Sequence, residues 1–176
     1  MTPPRAFGCG DILRRTAGAL FACLALMLPG AAALAQALDD ARYAEPTARY
    51  DHAILGDALE WSALILRPSG AGDIVIRLPQ TRVFEDTAPR IVDLGAGRQA
   101  ALVVETDLRL GARIALYDGD GLVAAGPFIG QAHRWLALLG AADLDGDGQL
   151  EIAYVDRPHQ ARILRVWRYV PVQIAL

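Results

Sequence analysis

From Arg90 onward the chain repeats itself, and that repetition limits the possible folds more than any single segment does. Sliding the sequence by 50 residues sets Asp93 on Asp143, Leu94 on Leu144, Leu102 on Ile152, Ile114 on Leu164, Leu116 on Val166 and Tyr117 on Trp167, without a gap. Each copy reads as loop, strand, polar break, strand: Ala101 to Val104 then Arg113 to Tyr117, and Glu151 to Val155 then Arg162 to Tyr169. Between them, Asp118-Gly119-Asp120-Gly121 is a hairpin signal followed by Leu122-Val123-Ala124-Ala125. A period of this length suits one four-stranded propeller blade or a similar β-repeat.

The chain before the repeat carries the same punctuation. Ala53-Ile54-Leu55, Ala63-Leu64-Ile65-Leu66 and Ile74-Val75-Ile76-Arg77-Leu78 are short aliphatic runs separated by Gly, Pro and Asp, the pattern of strands joined by turns. Ala63 to Leu66 can be set on Ala101 to Val104, so Asp51 to Leu78 is a candidate third, degenerate copy. Gln80 to Pro89 is polar and reads as a loop. After Gln80 no long 3.6-residue period with caps occurs. The expected architecture is all-β, a partial propeller-like array of about two to three four-stranded blades. The chain stops at Val172-Gln173-Ile174-Ala175-Leu176, soon after a strand, so the β-repeat domain at 52–176 is expected to be incomplete at its C-terminal end.

The N-terminus explains part of a hydrophobic content of 53%. Arg14 and Arg15 precede an apolar run from Ala17 to Leu28, then Pro29-Gly30 and an A-x-A site at Ala33-Leu34-Ala35. Residues 1–35 therefore read as a secretory signal helix, and the mature chain is expected in the periplasm or outside the cell. The apolar run is too short for the roughly 20 residues of a membrane span, so the mature chain is expected to have none. Cys9 and Cys23 both fall inside the signal, which leaves the exported chain to rely on core, metal or partner for stability. Residues 36–51 form a polar, Ala-rich segment read as a lead or short helix. Every basic residue is Arg and the arginines are scattered, so no basic footprint for nucleic acid is present.

The second copy of the repeat opens with Asp143-Leu144-Asp145-Gly146-Asp147-Gly148-Gln149-Leu150-Glu151. Carboxylates at loop positions 1, 3, 5 and 9, with the backbone carbonyl of Gln149 at position 7, present the alternating oxygens that a hard cation such as calcium takes. An EF-hand places its bidentate Glu at position 12, where this chain has Tyr154 in a strand-like run. The competing reading is a metal-free Asp/Gly hairpin. It leaves unexplained why like charges about 5 Å apart, repelling by roughly 1 to 3 kcal/mol per pair, are gathered there. The corresponding loop of the first copy, Asp93 to Ala101, keeps Asp93 but lacks acids at positions 3, 5 and 9, and is not expected to bind metal.

The segment Ala142 to Ile152 resembles the FG-GAP or VCBS repeats of integrin-type β-propellers and many exported bacterial proteins. The resemblance covers one good and one degenerate copy, from Arg90 to Tyr169. It implies that Asp143, Asp145, Asp147 and Glu151 are calcium ligands at a hairpin between two blade strands, with Gln149 offering its carbonyl. The Phe-Gly and Gly-Ala-Pro signatures of those repeats are absent, Ala125-Gly126-Pro127 being a faint echo.

No catalytic constellation is legible. His52, His133 and His159 lack zinc-site spacing, and neither Ser62 nor Ser69 sits in a Gly-x-Ser-x-Gly turn. Glu85-Asp86 and Glu105 with Asp107 read as surface charge, and Trp135, Tyr154, Trp167 and Tyr169 as packing residues. The expectation is an exported, calcium-binding, non-catalytic binding or structural module whose partner is a protein or carbohydrate ligand. The alternatives are a fragment of a periplasmic hydrolase, or a truncated product without independent activity.

Overall fold

The computed structural model describes residues 37–56 and 58–171; the signal helix expected at 1–35 lies outside them. The described residues form eleven strands and no helix. They are β1 (Leu38–Thr47), β2 (Glu60–Pro68), β3 (Ile74–Arg77), β4 (Arg82–Phe84), β5 (Arg90–Gly95), β6 (Arg98–Asp107), β7 (Gly111–Asp118), β8 (Gly121–Ala125), β9 (Leu136–Ala142), β10 (Glu151–Asp156) and β11 (Ile163–Arg168).

All ladders are antiparallel. One sheet follows the path β1-β2-β4-β6-β7-β8, with β3 also on β2 and β5 also on β6, while β9, β10 and β11 form a second sheet with β10 in the middle. The three-residue β4 stitches β2 to β6, pairing Phe84 with Trp61 on one side and with Glu105 on the other.

β6 explains the layering. Its run Ala100 to Val104 is apolar at every position, as a strand covered on both faces must be. Ala100, Leu102 and Val104 join Leu136, Leu138, Ile152 and Tyr154 in one core cluster. The alternate residues Ala101 and Val103 join Leu38, Leu64, Leu66 and Phe84 in another. The β5–β8 meander is thus a middle layer, with β9–β11 against one face and the β1–β2 pair against the other. Fully burying a side chain such as Leu64, Leu66 or Leu102 stabilises by about 1.5–3 kcal/mol each.

The 50-residue repeat is visible in this arrangement, because β5-β6-β7 and β9-β10-β11 are meanders of the same connectivity. The β9–β10 ladder takes up one extra residue at a bulge that leaves Leu139 unpaired between Gly140 and Leu138.

Two expectations are corrected. In the lead expected at 36–51, the described residues hold neither a helix nor an unpaired arm: Leu38–Thr47 is β1, zipped to β2 along its length, with Leu38 and Tyr50 buried. Its polar composition suits a strand whose outward side chains form ion pairs, such as Arg42 with Asp40 and Asp73, and Glu45 with Arg77. The loop expected at Gln80–Pro89 contains β4, and its Phe84, Glu85 and Asp86 are buried.

Candidate metal centre

The acidic loop joins β9 to β10, and its backbone is folded around its own carboxylates. Asp143 accepts N–H groups from Gly146 at 2.7 Å, Asp147 at 3.1 Å and Gly148 at 2.9 Å. Those bonds, led by Gly148, hold its carboxyl below the usual carboxylate range. Gly146 and Gly148 take φ of 82° and 85°, the left-handed region that glycine enters without a Cβ penalty. Asp145 accepts from Asp147 N–H, and Asp147 from Gln149 N–H. Glu151, the first residue of β10, is buried and accepts Leu144 N–H at 2.9 Å.

Of the five residues expected as ligands, Asp143, Asp145 and Glu151 are brought together, with carboxylate oxygens all within 4.8 Å of one another. Asp147 stands beside that group and holds the Gln149 side-chain amide at 3.2 Å. The sequence reading missed a cation supplied by the protein itself. The β10–β11 register sets Arg168 opposite Glu151. Its guanidinium reaches Glu151 with Nε at 2.8 Å, Asp145 with Nη2 at 2.6 Å and Asp147 with Nη1 at 2.8 Å. The donor set is all oxygen and suits a hard cation, and Arg168 marks where positive charge is needed. It offsets one of the loop's four negative charges and competes with any ion for the same carboxylates.

The repeat makes the contrast sharp. In the middle layer the turn after Asp93 is only Ala96-Gly97, with Asp93 accepting Gly95 N–H at 2.8 Å. The counterparts of Gly148 and Arg168 are Arg98 and Asp118, bonded directly to each other at 2.8 Å. Between the two loops lies an open cleft of about 500 Å³, lined by Asp93, Leu94, Asp143, Gly148 and Tyr169.

A second polar cluster, absent from the sequence reading, forms at the other end of β6. His52 Nδ1 lies 2.5 Å from Glu85 Oε1, and Thr106 donates its hydroxyl to Glu85 Oε2 at 2.6 Å. His133 bonds Asp51 through Nε2 at 2.9 Å and stacks on Tyr50, whose hydroxyl accepts His133 N–H. Trp135 donates its indole N–H to the Glu85 carbonyl. Nothing local announces this cluster, since His52 and Glu85 are 33 positions apart. It serves as a clasp that fastens the β1–β2 connection to the body.

Burial pushes the Glu85 carboxyl up to about 7, against the opposing Thr106 bond, and burial together with His133 and Arg134 pushes the His52 imidazole down. A raised carboxyl contributes stability that is present below its ordinary value near 4.5 and lost as pH rises through 7. The depressed imidazole acts oppositely, costing stability as pH falls below its ordinary 6.5. The carboxyl contribution, the one with the large shift, therefore declines as pH rises from about 4.5 through 7. Glu85→Gln, which mimics the protonated carboxyl, should remove a loss on the order of 2 kcal/mol between pH 5 and 8. Denaturant melts at both pH values check this; an unchanged pH dependence contradicts it.

Comparison with family models, with curated proteins and with solved structures returns no match.

Proposed function

We propose that the protein is an exported, calcium-binding β-repeat module, propeller-like in its stacking of meanders, that acts by binding or scaffolding and performs no chemistry of its own. The observation that carries the reading is the convergence of Asp143, Asp145 and Glu151 on one point at the β9–β10 hairpin. Asp147 and the Gln149 carbonyl stand ready in the same loop. Bound calcium supplies charge neutralisation that otherwise falls to Arg168, and so fixes the hairpin. The cleft between the Asp93 and Asp143 loops is the surface offered to a protein or carbohydrate ligand.

Calcium sites of extracellular modules bind at about 10⁻⁴ to 10⁻³ M, so millimolar calcium should stabilise by on the order of 0.5 to 1.5 kcal/mol. The melting temperature is expected to rise modestly with calcium, and the rise to vanish in Asp145→Ala. Identical melts in calcium and in chelator refute the reading. Arg168→Gln separates the two cations: it should lower stability in chelator and enlarge the calcium-dependent rise.

A further inference from the structure

Two histidines far apart in the sequence meet on the clasp. His52 and His133 have ring centroids 5.4 Å apart, with their planes inclined at 65°. In each ring one nitrogen is taken by a carboxylate: His52 Nδ1 by Glu85 at 2.5 Å, and His133 Nε2 by Asp51 at 2.9 Å. The other nitrogens, His52 Nε2 and His133 Nδ1, make no hydrogen bond within the described residues. A carboxylate on one nitrogen draws the ring's proton there and leaves a lone pair on the other, which is how metal-binding histidines are oriented. A clasp by itself needs neither free nitrogen.

Spacing, charge and backbone agree with a metal ion. A tetrahedral ion bound to two imidazoles at about 2.0–2.1 Å holds their centroids about 5 Å apart, so the observed separation needs little change. Asp51 and Glu85 outweigh the charge of Arg134, whose guanidinium donates to the His133 carbonyl. His133 takes φ 54°, a left-handed conformation that a side chain of this size adopts at a cost. It is held there by its N–H bond to the Tyr50 hydroxyl and by stacking on the Tyr50 ring at 5.2 Å. Strain of this kind collects where a side chain must be placed.

We infer that His52 and His133 form a binding site for a divalent transition-metal ion of the zinc, copper or nickel kind, the ions that imidazole suits. His52 Nε2 and His133 Nδ1 are the ligands, Glu85 and Asp51 hold the rings from behind, and water completes the coordination. The ion ties the β1–β2 connection to the 130–134 loop. The site is separate from the acidic loop, which offers oxygen alone.

Zinc is the probe, titrated calorimetrically into the full chain at about pH 8, above the ordinary histidine range. Cys9→Ser and Cys23→Ser are in place so that thiolates take no zinc. One zinc per chain is expected, with a melting temperature that rises on binding. His52→Gln and His133→Gln should each abolish both effects, and His133, 48% exposed in its side chain, is the change the fold tolerates better. Asp51→Asn, at a side chain 91% exposed, should weaken binding about 10–100-fold by loosening the hold on His133. His159→Gln and Asp145→Ala should leave binding unchanged, which sets the site apart from a stray surface histidine and from the acidic loop. A chain that takes up no zinc overturns the inference, as do zinc retained in His133→Gln and zinc lost in Asp145→Ala.

Discussion

Glu105→Ala is expected to destabilise the protein by about 3–5 kcal/mol, because it removes one partner from a buried ionic cluster and strands the others. The Glu105 side chain is fully buried, yet it accepts Arg82 at 3.0 Å, Arg113 at 2.8 and 3.2 Å, and the Tyr117 hydroxyl at 2.9 Å. Both guanidinium groups also lie over the Phe128 ring, at 5.4 and 4.4 Å. Arg113 is only 12% exposed in its side chain, so water cannot replace the lost carboxylate. Glu105→Gln should cost less, since the amide oxygen still accepts one guanidinium. Chemical denaturation of the two variants distinguishes a charge requirement from a packing one: equal losses would show that the carboxylate charge, which both remove, is what matters, and a Gln variant as stable as the parent that shape alone suffices.

Gly111→Ala should be comparably severe, about 3 kcal/mol or more. Gly111 begins β7 at φ 74°, and a Cβ there meets the carbonyl oxygens of Gln131 and Arg134, the latter at 2.8 Å. Those are backbone atoms held by ladder-like bonds, Ala112 N–H to the Arg134 carbonyl and Gln131 N–H to the Leu110 carbonyl, so they cannot swing aside. The substitution thus adds left-handed strain to a clash at the junction of β7 with the 130–134 loop. Gly70→Ala is the matched control: its φ is 73° with open space around it, and only the strain of about 1 kcal/mol should appear. Equal effects at the two positions would contradict the close approach.

The contrast between what was and was not legible in the sequence has a physical source. Strands β6, β7, β10 and β11 could be placed because their aliphatic runs and bounding turns are local signals, and the 50-residue offset showed that two meanders share a plan. β1 was missed because its partners lie outside its own sequence: the register with β2 buries Leu38 and leaves polar residues to pair across the surface. β4 is three residues long, below the length at which any period can be read. Glu85 and Glu105 looked like surface charge, yet both are fully buried, since Thr106 and His52 satisfy one and two arginines and a tyrosine the other. Arg168 went unrecognised because its role follows from lying opposite Glu151, a fact of register that spacing within the loop cannot convey.

Equilibrium calcium binding decides whether the acidic loop is a metal site. Dialysis of the chain against radiolabelled calcium, with Asp145→Ala and Arg168→Gln in parallel, is expected to show one ion per chain with a dissociation constant of about 10⁻⁴ to 10⁻³ M. The ion should be lost in Asp145→Ala and held more tightly in Arg168→Gln. A chain that retains no calcium even after Arg168 is replaced would show that the loop is a hairpin held by its own arginine and not a metal site.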